Sequence, residues 1–117
     1  MEPADRTRYI AAVLDAYRRT PGTLGHIRPP DRRLARELYD AGVPLATVEA
    51  ALSLTAARRA VRPEGTPPLP PIRSLHYFKP VIDEILGDPP EPAYLAYVQH
   101  FLARCNEPRP TQPDPTN

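Results

Sequence analysis

The chain has 117 residues, and proline is its compositional outlier: 18 prolines, roughly three times ordinary usage, stand against 5 glycines, which excludes a collagen-type repeat. Hydrophobic residues make up 41%, a somewhat low share that still suffices for one small core, so a single folded domain is expected rather than a wholly disordered chain. A net charge of +1, from 15 basic and 14 acidic residues, excludes a polybasic, histone-like protein.

The charge is unevenly spread. Residues 1–79 hold 13 Lys+Arg and 8 Asp+Glu, while residues 80–117 hold 2 and 6, so a basic front of +5 precedes an acidic back of −4. Among the basic residues only Lys79 is a lysine. GC-rich coding is the plain explanation of so much arginine; the functional one is that planar guanidinium groups suit phosphate contacts. The lone cysteine, Cys105, rules out an internal disulfide and a cysteine-based zinc cluster. The apolar run Tyr9–Leu14 is too short for a signal peptide, and no stretch approaches the roughly 20 apolar residues of a membrane span. A cytoplasmic protein without a membrane partner is expected.

Five helices follow in chain order. The first covers residues 3–19, with Tyr9, Ile10, Val13, Leu14 and Tyr17 at helical spacing on one face and Thr20-Pro21-Gly22 as its stop. A Pro/Gly-rich loop over residues 20–30 leads to Asp31, a candidate N-cap for a second helix from Arg32 to Asp40. Gly42 suits a helix C-cap, and Pro44 stands just before or in the first turn of a third helix from Leu45 to Arg62. Residues 63–73 cannot be helical, because their prolines fix extended torsions and remove amide donors. They read as a stiff strap, or as a ligand for a proline-recognition domain. A fourth helix to Leu86 has Leu75, Phe78, Val81, Ile82, Ile85 and Leu86 as its apolar face: either Ser74 caps it and Pro80 kinks it, or, the favoured reading, a turn at 74–78 feeds it and Pro80 sits in its first turn. The fifth runs from Glu91 to about Arg104 and buries Tyr94, Leu95, Val98, Phe101 and Leu102, and residues 106–117 read as a disordered proline-rich tail. The fold class expected is all-α, one helical domain over residues 3–105.

The second and third helices, joined by Asp40-Ala41-Gly42-Val43-Pro44, have the ingredients of a helix-turn-helix, a pattern that simple bundle packing shares. Thr47 and Glu49 are the polar groups at the end that would meet bases, and the usual base-reading Asn, Gln, Arg and Lys are missing there. Basic residues make a less demanding surface: Arg28, Arg32, Arg33 and Arg36 open the second helix, Arg58, Arg59 and Arg62 end the third, and Arg73, His76 and Lys79 flank Tyr77-Phe78. Arginines beside an exposed aromatic ring can hold phosphates and stack bases. Catalysis finds little footing. His26, His76 and His100 are far apart, the adjacent Asp83 and Glu84 diverge on a helix, and Cys105 has no base near it in sequence. No catalytic residue, metal ligand set or cofactor is expected.

Residues 69–86, Leu-Pro-Pro-Ile-Arg-Ser-Leu-His-Tyr-Phe-Lys-Pro-Val-Ile-Asp-Glu-Ile-Leu, resemble a segment of small uncharacterised helical proteins of bacterial mobile elements. Asp31-Arg32-Arg33-Leu34-Ala35 and Gly42–Val48 fit the same pattern, which spans about half the chain. More loosely, through Ile72, Tyr77, Phe78, Val81 and Ile82, the segment is similar to the DnaD-like helical domain of plasmid and phage replication initiators. That resemblance implies DNA binding in replication initiation or element mobility; the acidic C-terminal third departs from it. The expectation is therefore a non-catalytic DNA-binding protein. Arg32, Arg33, Arg36, Arg58, Arg59, Arg62, Arg73 and Lys79 would contact phosphates, Thr47 a groove, and Tyr77 a base. The alternative is an adaptor that docks on a larger replication or recombination protein.

Overall fold

The computed structural model describes residues 3–106. Its elements are α1 (Pro3–Arg19), α2 (Pro29–Asp40), α3 (Leu45–Ala60), a 3-10 turn (Leu75–Phe78), α4 (Lys79–Gly87) and α5 (Pro92–Asn106). The fold is all-α, as the apolar periodicity predicts, and no strand occurs among the described residues. Of the tail expected at 106–117, Asn106 closes α5 and the rest lies outside the described residues.

The central helix is α3. It packs against α1, α4 and α5, while α2 lies across α1 and the 3-10 turn. Its alanines explain this position. Ala50, Ala51, Ala56 and Ala57 are all buried beside Val48, Leu52 and Leu54, and their small side chains let neighbouring helices approach closely. The α1 stripe supplies Val13, Leu14 and Tyr17, with Tyr9 and Ile10 partly buried, and the Tyr17 ring meets Phe78 edge-on at 5.9 Å.

Several boundaries differ from those the sequence predicts. The second helix starts at Pro29, not Arg32, so Asp31 is its third residue and Arg28 occupies the N-cap position. Prolines at the first two helical positions lose nothing there, since those amides have no intrahelical acceptor. The third helix stops at Ala60, two residues before Arg62, because Pro63 drives its predecessor out of the helical region. The fifth begins at Pro92 and runs on to Asn106.

The connections are held by specific bonds. At the end of α2, Gly42 takes φ +76° and closes a two-bond cap, its N–H donating to Tyr39 O at 2.9 Å and that of Val43 to Leu38 O at 3.0 Å. Val43 is buried, and its carbonyl accepts from the Tyr9 hydroxyl at 2.7 Å. Burial pushes Tyr9 up to about 12. The proline strap turns at Pro63-Glu64-Gly65-Thr66, where Gly65 has φ +84° and Thr66 N–H donates to Pro63 O. Its far end is stitched to the α1–α2 loop: Leu24 N–H donates to Ile72 O at 3.0 Å and Ile72 N–H to Gly22 O at 2.7 Å. Ser74 caps the 3-10 turn by accepting from His76 N–H, and Pro80 sits in the first turn of α4, as expected.

Two expected core positions are exposed. Leu86 is left out because α4 is only nine residues long and buries Ile82 and Ile85. Tyr94 lies on the same side of α5 as Val98 and Leu102 but in its first turn, where it remains half-exposed, and Tyr97 lies off that side.

Candidate functional site

The basic residues fall into two groups with different environments. On α2, Asp31, Leu34, Ala35 and Leu38 face the core, so the intervening Arg32, Arg33 and Arg36 are exposed. Arg28, also exposed, extends the row at a spacing of four with Arg32 and Arg36. No carboxylate among the described residues pairs with these four arginines. Asp40, one turn beyond Arg36, is held instead by Arg6, whose Nε and Nη2 donate to its two oxygens at 3.2 and 3.3 Å. That bond raises Arg6 above its ordinary value.

Asp31 fastens this helix to the 3-10 turn. Its carboxylate is buried, accepting from Arg28 N–H at 2.9 Å through one oxygen and from Leu75 N–H at 2.9 Å and Ser74 Oγ at 3.3 Å through the other. Two helix starts thus share one side chain. The clamp places Arg73 and His76, both exposed and on either side of Ser74-Leu75, at the same end of α2 as Arg28 and Arg32. The sequence presents Asp31 as a local cap. A bond to residues more than forty positions away has no local signature. The buried Tyr17 hydroxyl, raised by burial and then by the nearby Asp31 charge, makes no hydrogen bond in the structure.

The second group gathers where α3 ends. Arg58 forms a two-point pair with Glu84, at 3.3 and 2.7 Å. Arg59 lies over the Tyr77 ring with its guanidinium carbon 5.3 Å from the centroid, and donates to Tyr77 OH at 3.0 Å and to Pro70 O at 2.7 Å. Arg62 donates to Pro67 O at 2.6 Å. These arginines fasten the proline strap and α4 to the helix end. Lys79 is similarly engaged, by Asp83 one turn on at 2.7 Å.

The ten residues expected to form one DNA surface are therefore divided. Arg32, Arg33, Arg36 and Arg73 are exposed, with no carboxylate partner among the described residues. Arg58, Arg59, Arg62 and Lys79 hold other parts of the chain, and Tyr77 has one face covered by Arg59. Thr47 stands apart, half-buried at the start of a helix whose middle is enclosed by its neighbours. The α2-turn-α3 pair keeps the expected order of elements, and its two helices pack against α1 rather than chiefly against each other.

Between the arginines of the second group and the strap lies a groove of about 570 Å³. A smaller, more apolar recess of about 190 Å³ opens on the other side of Val61, against the exposed Tyr94 and Tyr97. Among the described residues no group of three or more metal-ligating side chains occurs, and no helix is long and apolar enough to cross a membrane. No family model, curated protein or solved structure matches the chain.

Proposed function

We propose that the protein binds the phosphate backbone of DNA through the outer face of α2 and the adjoining start of the 3-10 turn, without catalysis. One observation carries this reading: Arg28, Arg32, Arg33 and Arg36 stand exposed on a single helix, paired with no carboxylate among the described residues, and the Asp31 clamp joins that helix end to the segment bearing Arg73. Guanidinium groups without carboxylate partners are free to displace the counterions of a polyanion. The buried middle of α3 disfavours insertion of that helix in a groove, so the contact expected is to backbone rather than to bases. Replication initiation or element mobility is the setting that the sequence resemblance implies.

Fluorescence anisotropy with labelled duplex and single-stranded DNA, over a salt series at low ionic strength, tests the reading. Affinity should fall linearly with salt on logarithmic axes, and Arg32→Gln, Arg33→Gln and Arg36→Gln together should flatten the slope by up to about three, near 0.9 for each phosphate that is no longer neutralised. Absence of binding at low salt, or a slope unchanged in the triple variant, sinks it. The adaptor reading draws on a different surface, Val61, Tyr94 and Tyr97 beside the smaller recess, and gains if the wild type binds neither form of DNA.

A further inference from the structure

The groove beneath the proline strap has features that the nucleic-acid reading does not use. At about 570 Å³ it falls within the roughly 300–1,000 Å³ typical of small-molecule sites. Thr55 of α3 lines it together with Leu69 of the strap, Tyr77, and Val81 of α4, so most of the wall is apolar or aromatic. Arg59 and Arg62 line it too, and neither meets a carboxylate among the described residues: Arg59 donates to the Tyr77 hydroxyl and Pro70 O, and Arg62 to Pro67 O, all neutral oxygens. Only Arg58 has a carboxylate among the described residues, Glu84. Each guanidinium has five N–H groups, so Arg62, with a single bond, keeps most of its donors.

A second observation concerns Thr55. It is 5% exposed, and its hydroxyl makes no hydrogen bond, a costly state for a buried polar group. A helical threonine has two accessible χ1 wells, and rotation between them moves its hydroxyl to a new position on a side chain that already lines the groove. The groove thus combines apolar walls, two cations that meet no carboxylate among the described residues and an unsatisfied hydroxyl.

We propose that it is a binding site for a small amphipathic anion, a carboxylate or phosphate headgroup on a short apolar body. The headgroup bonds to Arg62 and Arg59, the apolar body lies against Leu69, Tyr77 and Val81, and Thr55 turns its hydroxyl to meet the ligand. This assignment is independent of DNA binding, because it uses none of the α2 arginines.

Calorimetric titration of the full chain with hexyl phosphate, hexanoate, hexanol and inorganic phosphate tests it. At least one of the two amphipathic anions should bind, and the tighter of them identifies the headgroup; hexanol and inorganic phosphate should each bind about tenfold more weakly or worse, since each lacks half of the recognition. Arg62→Gln should weaken the preferred ligand about tenfold, and the isosteric Thr55→Val severalfold, while Thr55→Val keeps or raises the melting temperature by removing an unsatisfied hydroxyl. Thermal melts of both variants confirm that they remain folded. The proposal fails if neither amphipathic anion binds, if hexanol binds as well as they do, or if both variants bind like the wild type.

Discussion

The α2 arginines and the α3 arginines carry the same chemical group at similar density, yet they do opposite things. Those on α2 project from a helix whose inner face is fixed by Leu34, Ala35 and Leu38, and Arg6 rather than any of them holds Asp40 at the end of that helix. Those at the end of α3 meet a segment rich in proline, which offers carbonyls and cannot satisfy them with its own amides. Pro67 and Pro70 therefore accept from Arg62 and Arg59, and the strap is held by guanidinium groups where a sheet would use backbone bonds. What separates an arginine that fastens the chain from one that projects freely here is the hydrogen-bonding need of its neighbours. Charge alone does not distinguish them.

The contrast can be broken at several places, and the largest effect is expected at Asp31. Asp31→Ala leaves Leu75 N–H buried without an acceptor and uncaps α2, so it should cost about 3 kcal/mol in chemical denaturation. It should also weaken DNA binding by releasing Arg73 from the α2 face. A variant as stable as wild type would show that the clamp does not hold the first group together.

Alkaline pH probes the other end of α2. Tyr9, bonded to the Val43 carbonyl, is pushed up to about 12 by burial. Below pH 10 it is protonated both folded and unfolded, and pH acts on stability through other groups only. Between pH 10 and 12 the unfolded chain loses this proton while the folded chain keeps it, so stability falls as pH rises, by on the order of 2 kcal/mol. Compared by urea titration, wild type and Tyr9→Phe should differ by a constant amount up to pH 10, and the wild-type advantage should shrink above it.

The triple substitution at Arg32, Arg33 and Arg36 comes next. It should lower DNA affinity about tenfold or more at low salt, about 1.4 kcal/mol, and leave the melting temperature unchanged within a degree or two. Arg59→Ala should show the reverse. It removes bonds to Pro70 and Tyr77 and the stacking on that ring, so a loss of about 1 kcal/mol of stability is expected with DNA affinity nearly intact. Arg58→Ala is the smallest effect, under about 0.5 kcal/mol, because its pair with Glu84 is half-exposed on both sides. If Arg58→Ala and Arg59→Ala instead abolish DNA binding, the roles of the two groups are exchanged.

Much of the architecture is legible in the order of residues. Apolar spacing marks the five helices, Gly42 the cap that ends α2, and Ser74 with Pro80 the short turn before α4, each depending on interactions within a few residues. The start of α2 is misplaced for a local reason: Pro29-Pro30 resemble loop residues, although they also suit the first helical turn, where the structure puts them. The candidate site is less legible. Ten residues, nine chosen for charge or aromaticity and Thr47 as a groove contact, make one surface on paper, and folding divides them, since sequence reports that Arg59 is charged and not that Pro70 and Tyr77 lie beside it.

The sequence by itself determined the helices, their caps, the extended strap and the surplus of guanidinium groups in the front of the chain, because torsional preference and amphipathic period act over one or two turns. Only the tertiary structure decided that α3 is the enclosed central helix, that Asp31 joins two helix starts across more than forty residues, and that one set of arginines is tied to the strap and α4 while the other stays exposed. Those outcomes depend on which buried polar groups find partners at a distance, and no local pattern encodes the answer.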